Sequence, residues 1–242
     1  MLRVAADALV SVVLAPQCAA CHRILEAPSR GAVCTTCWSA VVPFTPPLCR
    51  HCGDPLPSWR PISRELELCA RCRRQLSAIS ICRAIGPYEG SLRGILHAFK
   101  YSGRRSLAKP IARLMRQHGD GILERVDAAV PVPLHWRRQW RRGFNQAEEL
   151  ACALGLPVVP VLRRTRATPS QTDLPAARRH ANVRDAFTMR RRARVSGLSL
   201  VLVDDVCTTG ATLEACARLL REAGAADVGA VTAARVVSRP RE

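Results

Sequence analysis

The chain has 242 residues, of which 48% are hydrophobic and 23% charged, and 37 lysines and arginines against 19 acidic residues give a formal charge of +18. This composition supports one or two cored domains and excludes a disordered basic tail as the main character of the protein. Almost all of the excess is arginine, which can reflect genome base composition as easily as an anionic partner. Charge alone therefore identifies no partner.

Residues 1–14 are the part of the chain that most resembles a secretion signal. An apolar run follows Arg3, but Asp7 interrupts it, and no small-residue cleavage site precedes the cysteines. We therefore interpret the segment as an amphipathic first helix. Since no stretch reaches the ~18–20 uninterrupted apolar residues needed to cross a bilayer, we expect a soluble, cytoplasmic protein with no membrane span.

Eight of the twelve cysteines form four C-x-x-C pairs near the start of the chain. Two thiolates separated by two residues can share a tight turn and occupy adjacent corners of a tetrahedron, so two pairs complete an all-thiolate zinc site. The pattern predicts two structural Zn²⁺ ions rather than a disulfide framework, the alternative for so many cysteines. The four pairs are Cys18 with Cys21, Cys34 with Cys37, Cys49 with Cys52, and Cys69 with Cys72.

The four pairs can combine in two ways. A consecutive scheme joins the first pair to the second and the third to the fourth, whereas an interleaved cross-brace joins the first to the third. We favour the consecutive scheme because the 12 and 16 intervening residues are each long enough for a small hairpin. Gly53, directly after Cys52, permits the positive-φ turn that points backbone amides at sulfur. His22 and His51 adjoin the pairs and are interpreted as bystanders.

The texture of the chain changes near residue 80. Residues 1–80 lack extended hydrophobic periodicity and are interrupted by prolines, so this segment needs metal to fold. Residues 81–242 alternate between strand-like and helix-like runs, which predicts an α/β fold with a parallel sheet and helices on both faces. The expected strands are residues 127–132, 198–203 and 228–237, and the expected helices are residues 106–118, 145–154 and 212–223.

The most informative run follows the apolar strand at residues 198–203. It consists of Asp204 and Asp205 and then a hydroxyl- and glycine-bearing loop before the next helix. This order places the loop at the carboxyl edge of a parallel sheet and at a helix N-terminus, where free N–H groups favour a phosphate. The carboxylates can hold ribose hydroxyls or order a hydrated Mg²⁺. The alternative is an ordinary strand–turn–helix capped by aspartate.

Four further cysteines lie outside the C-x-x-C pairs. Cys207 lies inside the loop, where a helix N-terminus could lower its thiol pKa, although we favour a space-filling role. We interpret Cys82, Cys152 and Cys216 as buried apolar positions.

Two more clusters accompany this loop. The first is the run Val130-Pro131-Val132-Pro133-Leu134-His135 followed by Arg137, Arg138, Arg141, Arg142, Gly143, Phe144, Asn145 and Gln146. The second consists of Thr165, Thr168, Gln171, Leu174, Arg179, Asn182, Val183, Ala186 and Phe187.

The loop resembles the PRPP-binding signature of type I phosphoribosyltransferases, where PRPP is 5-phosphoribosyl-1-pyrophosphate. With the cysteine pairs and both clusters, the whole chain resembles the ComF family, which includes ComFC-type competence proteins and GntX proteins. The resemblance implies a type I phosphoribosyltransferase-like domain at residues 81–242, preceded by an N-terminal helix and double zinc ribbon at residues 1–80.

The resemblance also implies roles for individual residues. Asp204 and Asp205 would be catalytic and bind the ribose hydroxyls of PRPP together with Mg²⁺. The 5-phosphate would be held by Cys207, Thr208, Thr209, Gly210, Ala211 and Thr212. The pyrophosphate loop would be formed by Val132, Pro133, Leu134 and His135, with Arg138 and Arg142 as our choice of arginines.

Some of these segments can also be interpreted differently. The basic loop can instead be a solvated or RNA-facing surface. Ser170 and Gln171 are expected in a segment that closes over substrate, although residues 165–180 could equally form a loose surface loop. Lys100 and Arg104 lie where they could face the ligand.

Two functions remain open at this point. The chain can be a PRPP-dependent transferase, in which preorganised positive groups stabilise the departing pyrophosphate and no dedicated nucleophile is required. It can instead be a non-catalytic module that binds PRPP or single-stranded DNA and works with competence or recombination proteins. The zinc segment carries no readable base pocket, so the acceptor stays open. The ComFC resemblance favours DNA uptake and the GntX resemblance favours gluconate utilisation.

Overall fold

The computed structural model describes residues 15–56, 67–75, 77–166 and 186–237. The helix expected at residues 1–14 and the closing segment expected at Ser170 and Gln171 lie outside these residues. Within the described part of the chain, no helix is both long enough and apolar enough to cross a membrane.

A four-stranded sheet with strand order β1-β6-β5-β2 organises the molecule. All three ladders are parallel, with Val130 opposite Leu202 and Leu202 opposite Ala230. Since every strand runs the same way, all four carboxyl ends meet at one edge. The strands are β1 Cys82–Pro87, β2 Ala128–Pro131, β5 Ser199–Cys207 and β6 Asp227–Arg235, and β3 Leu162–Arg164 pairs antiparallel with β4 Phe187–Met189.

Helices cover both faces of the sheet, which confirms the predicted α/β class. Alternate residues of β5 point to opposite faces, as the two-residue period of a strand requires. Val201 and Val203 pack with α3, α4 and α6, whereas Leu200 and Leu202 pack with α7 and the β3–β4 hairpin. The helices are α1 Thr35–Ser39, α2 Ala70–Arg74, α3 Gly90–Tyr101, α4 Ala108–Gln117, α5 Trp136–Arg142, α6 Gln146–Ala153 and α7 Ala211–Glu222.

Strand β5 is longer than the sequence predicts. It was expected to end at residue 203 but continues to Cys207, so both carboxylates belong to the strand itself. The cause is β6, which pairs with β5 as far as Cys207 opposite Arg235 and keeps this backbone extended. A partner strand that lies later in the chain leaves no mark on the local pattern of β5.

The outlying cysteines divide between core and surface. Cys82 and Cys216 are buried, as predicted. Cys152 is exposed, which corrects its expected burial. Helix α6 turns Leu150 and Ala151 toward the sheet, and Cys152 follows on the outer side of the helix.

The cysteine-rich segment packs directly on the sheet. Cys18 and Cys37 are buried in the same hydrophobic cluster as Ile95 of α3. Along the edge of β1, the Phe44 N–H donates to the Ile85 carbonyl at 2.8 Å and the Cys82 N–H donates to the His51 carbonyl at 2.7 Å. The segment therefore covers the β1 edge, which would otherwise expose unpaired backbone groups.

Candidate functional site

The eight paired cysteines form two tetrads. Within each tetrad the sulfurs lie within 4.8 Å of one another, and the tetrads follow the consecutive scheme. Measured Sγ–Sγ distances are 3.9 Å for Cys18–Cys37, 3.8 Å for Cys21–Cys34 and 3.7 Å for Cys52–Cys69. A tetrahedral Zn²⁺ with bonds of about 2.3 Å separates its sulfurs by about 3.8 Å, so the thiols fit two structural zinc ions.

Backbone amides support these sulfurs. The Cys34 N–H donates to Cys18 Sγ at 3.3 Å, and the Cys69 N–H donates to Cys49 Sγ at 3.3 Å. Donors aimed at sulfur favour the thiolate, which is the form that binds zinc. Gly53 has a φ of +72°, as predicted, and a Cβ there would lie 2.7 Å from the Cys82 carbonyl oxygen. Glycine at this position therefore permits both the turn and close packing on β1.

A cleft of about 260 Å³ opens at the carboxyl edge of the sheet. It is lined by residues of β5, α3 and α5, by the first residues of α6 and α7, and by the turns that follow the strands. Carboxylates and guanidinium groups both line it, so the cleft can accept a ligand that carries both hydroxyl groups and anionic groups. Its polar lining includes Lys100, Arg138, Arg142, Arg164, Asp204 and Asp205.

The two carboxylates of β5 have different partners. Asp205 Oδ1 lies 3.0 Å from the Nζ of Lys100, and both side chains are mostly buried. Asp204 Oδ1 accepts from the Asp205 N–H at 2.8 Å. Burial, together with the neighbouring Asp205 charge, raises the pKa of Asp204 to about 8. Burial opposes the charge of Lys100, but the Asp205 carboxylate outweighs it and raises the Lys100 pKa.

The loop after β5 presents only part of its length to the cleft. Cys207, Thr208, Gly210 and Thr212 line the cleft. Gly210 has a φ of +79° and is the N-cap of α7, so the left-handed turn that starts the helix is made by the one residue type without a steric penalty there. The Thr209 hydroxyl accepts from the Ala211 N–H at 3.4 Å and supports the same turn.

Two predicted members of the loop point elsewhere. Thr209 does not line the cleft within the described structure; it lies on the opposite side of the loop. Ala211 is buried in the first turn of α7. The side chains of these two residues therefore do not face the cleft in the described structure.

The turn after β2 is held in place by a side chain at the start of α6. Val132, Pro133 and Leu134 line the cleft, and Asn145 Nδ2 donates to the Val132 carbonyl at 3.2 Å. Asn145 also caps α6 through Oδ1, which accepts from the Ala147 N–H at 3.1 Å. One side chain thus fixes both the turn and the helix behind it.

His135 differs from the other residues of the predicted pyrophosphate loop. Its side chain is buried and caps α5, where Nδ1 accepts from the Arg137 N–H at 3.3 Å. Burial lowers its pKa, and so do nearby arginines, the largest effect coming from Arg164. His135 is not among the residues that line the cleft in the described structure. As the N-cap, the imidazole helps to orient the helix that carries Arg138 and Arg142.

The Cys207 thiol lies in a charged interior. Arg235 Nη1 donates to Cys207 Sγ at 3.2 Å, and the same guanidinium pairs with Asp54 of the cysteine-rich segment. A hydrogen bond from the Cys82 side chain lowers the pKa of Cys207 to about 7 against the effect of burial, and Arg235 adds to the decrease.

The second cysteine tetrad lies against the loop between β5 and α7. Arg71, one residue before Cys72 on α2, donates from Nη1 to the Thr209 carbonyl at 3.1 Å. A small cavity of about 80 Å³ separates the two, lined by Cys52 and Cys72 on one side and by Gly210 on the other. The Arg71 side chain thus connects the second tetrad to the loop beside this cavity.

Sequence reasoning missed part of this site. Tyr88, Tyr101 and Arg164 line the cleft, and Arg71 reaches the loop from the cysteine-rich segment. These residues lie far along the chain from Asp204, so spacing gave no signal for them. Lys100 faces the cleft as expected, whereas Arg104 is not part of the lining in the described residues.

The second predicted cluster is described only at its ends. The Thr165 N–H donates to the Ala186 carbonyl at 2.9 Å, and Ala186 and Phe187 are buried. These three positions therefore build the β3–β4 hairpin. The remaining members, Thr168, Gln171, Leu174, Arg179, Asn182 and Val183, lie outside the described residues.

Comparison with known proteins identifies two domains and several relatives. The double zinc ribbon domain matches residues 9–73, and the phosphoribosyl transferase domain matches residues 140–242. The chain is 36% identical over 213 residues to the DNA utilization protein YhgH of Salmonella typhimurium, covering 83% of this chain and 88% of that protein. It is 30% identical over 226 residues to competence protein F of Haemophilus influenzae, covering 88% and 93%. It is 28% identical over 206 residues to competence protein ComFC of Bacillus subtilis, covering 84% of each.

Proposed function

This chain, a double zinc ribbon joined to a phosphoribosyltransferase domain, belongs to the ComF family of competence and DNA utilization proteins, and on that premise we propose that its cleft binds PRPP with Mg²⁺ and transfers the phosphoribosyl group to an acceptor. The observation that carries the proposal is the meeting of three ligand-binding elements in one cleft: the β5 carboxylates, the loop at the start of α7 and the arginines of α5.

Each element suits one part of PRPP. Asp204 and Asp205 would accept hydrogen bonds from the ribose hydroxyls. The amides of residues 208–212 and the hydroxyl groups of Thr208 and Thr212 would hold the 5-phosphate at the N-terminus of α7, where the helix dipole favours negative charge. Arg138 and Arg142 would face the pyrophosphate across the cleft.

The donor set fits Mg²⁺ as well. Mg²⁺ prefers oxygen ligands and keeps several waters, binding through one or two carboxylates plus substrate phosphates. Asp204 and Asp205 supply carboxylate oxygens at the cleft, where Mg²⁺ would compete with Lys100 for the Asp205 carboxylate. When bound, the ion would offset negative charge on the pyrophosphate.

Phosphoribosyl transfer would need only charge stabilisation and exclusion of water from the protein. Transfer breaks the bond between the anomeric carbon and pyrophosphate, so positive charge develops on the ribose and negative charge on the leaving group. Arginines fixed beforehand would stabilise the leaving group, and a closed cleft would exclude water as a competing acceptor. No side chain need form a covalent bond.

A double substitution tests the site. Asp204→Asn with Asp205→Asn should weaken PRPP binding by about tenfold or more, because hydrogen bonds to charged groups are worth ~1.5–3 kcal/mol. Zinc content should stay unchanged, since both tetrads lie outside the cleft. Titration calorimetry in the presence of Mg²⁺ measures the first quantity and metal analysis the second. An unaltered PRPP affinity would remove this site assignment.

Turnover needs a separate experiment. Pyrophosphate release from PRPP, screened against a panel of bases, would identify a transferase and its acceptor. PRPP binding without release would favour the second candidate, a non-catalytic module that handles single-stranded DNA, which the charge of +18 and the names of the relatives support.

The zinc ligands also bear on where the protein works. Eight thiols that must remain reduced to hold zinc suit the cytoplasm.

A further inference from the structure

Helix α5 repeats the tripeptide Trp-Arg-Arg after four residues. Side chains four residues apart lie on the same side of a helix, so the repeat arranges this helix in three parallel rows. One row, Arg138 with Arg142, lines the cleft. The other two rows are Trp136 with Trp140 and Arg137 with Arg141.

The tryptophan row faces solvent. Trp136 is 65% exposed and Trp140 84% exposed, although tryptophan is usually among the more buried residues. The guanidinium carbon of Arg137 lies 5.2 Å from the centroid of the Trp136 ring. Two neighbouring indoles kept in water beside arginines indicate a surface that meets a partner.

A basic groove lies next to this row. Trp136 forms part of one wall of a cavity of about 320 Å³, and the β3–β4 hairpin forms the opposite wall. Arg163, Arg164 and Arg190 come from the hairpin side, and Glu148 is the acidic residue in the lining. The surface therefore combines an aromatic wall with an excess of positive charge.

We propose that Trp136 and Trp140 form a stacking platform for the bases of single-stranded DNA, with the phosphates held by Arg137, Arg141 and the arginines of the groove. Single strands expose the flat faces of their bases, which stack on aromatic rings in any sequence, while arginines follow the backbone. A duplex hides these faces, and an apolar protein partner would leave the arginines without counter-charges. The proposal does not depend on PRPP binding; it rests on the second candidate function above and assigns a site to it.

The test uses the full-length, zinc-loaded protein and fluorescence anisotropy of labelled oligo(dT). Trp136→Ala with Trp140→Ala should weaken binding by about thirtyfold or more, since each lost base–aromatic stack is worth ~1–3 kcal/mol. Replacing both tryptophans by phenylalanine should keep most of the affinity, because a ring remains. The matched control is Ile24→Ala, an exposed apolar residue of the first zinc ribbon, which should change nothing.

Salt dependence separates stacking from charge. The slope of log K against log salt should be unchanged in the tryptophan variants. In Arg137→Gln with Arg141→Gln the slope, which is negative, should become shallower by about 0.7 for each single-strand phosphate that an arginine no longer neutralises. Trp140→Ala should bind PRPP normally, and Asp204→Asn with Asp205→Asn should bind oligo(dT) normally. These two results distinguish a failure of this proposal from a failure of the PRPP site.

Three outcomes would overturn the platform. The first is parental oligo(dT) affinity in the double alanine variant. The second is equal loss of binding in the Ile24→Ala control. The third is tighter binding of duplex DNA or of oligo(rU) than of oligo(dT), which would identify a different nucleic acid as the occupant.

Discussion

Asp204 shows at the scale of one residue how position sets chemistry. Its neighbour Asp205 is paired with Lys100, whereas Asp204 is buried beside the negative charge of Asp205. The result is a carboxyl group whose pKa is raised to about 8. Near neutral pH much of it is protonated, although the proposed ribose and Mg²⁺ contacts require the carboxylate.

The affinity for PRPP should therefore increase with pH. Because the ligand prefers the deprotonated form of Asp204, binding should tighten by about tenfold from about pH 7 to about pH 9, on either side of this pKa. Calorimetry at several pH values in buffers of different ionisation enthalpy measures both the affinity and the proton released.

The single variant Asp204→Asn provides the control for this pH dependence. It removes the titrating group, so its affinity should vary much less over the same range. An affinity for PRPP that falls as the pH rises in the parent protein would contradict the role given to Asp204.

At the scale of secondary-structure elements, α2 of the second zinc ribbon supports the loop that starts α7. Arg71 alone of the α2 side chains donates to that loop among the described residues, through the Thr209 carbonyl. The bond fixes the outer side of the loop while the inner side remains open to the cleft. We therefore regard Arg71 as a positioning residue.

Arg71→Ala should weaken PRPP binding by about threefold to tenfold, the effect of removing a hydrogen bond worth ~0.5–1.5 kcal/mol. Its zinc content should stay that of the parent. The matched control is Arg73→Ala, a change of the same kind on the same helix, which should leave PRPP affinity intact. Equal effects of the two variants, measured by calorimetry, would show that general charge and not the contact with Thr209 is responsible.

The sequence predicted the elements whose signals are local. The C-x-x-C spacing identified both tetrads, and the acidic strand end followed by Gly210 identified the loop and the start of α7. Long-range contacts left no such signal: Arg71 and the full length of β5 depend on residues far along the chain. The cap formed by His135 also lies outside what the sequence indicates, because capping and binding residues can occupy the same kind of turn.

At the scale of the whole molecule, the ribbons and the sheet form one packed unit. Residues of the first tetrad share a hydrophobic cluster with α3, and Asp54 beside the second tetrad pairs with Arg235 of β6. Gly86 of β1 lies so close to this segment that a Cβ would meet the Val42 carbonyl oxygen at 2.2 Å. Unfolding of the ribbons should therefore lower the stability of the sheet.

Zinc removal should lower the stability of the entire described fold. After chelation, the thermal unfolding transition of the sheet and helices should fall by at least about 5 °C, since a decrease of 1 kcal/mol in stability shifts Tm by roughly 2–4 °C in a protein of this size. Circular dichroism follows this transition, and restoring Zn²⁺ should reverse the change. A sheet transition that is unaffected by the chelator would show that the ribbons are independent.

The strand order has a consequence for synthesis. Strand β6 comes last among the described strands yet lies in the middle of the sheet, between β1 and β5. While a ribosome is still making the chain, β1 lacks its partner strand β6 and Asp54 lacks its ion-pair partner Arg235. Nascent ribbons can load metal early, but the cleft cannot assemble until translation has passed residue 235.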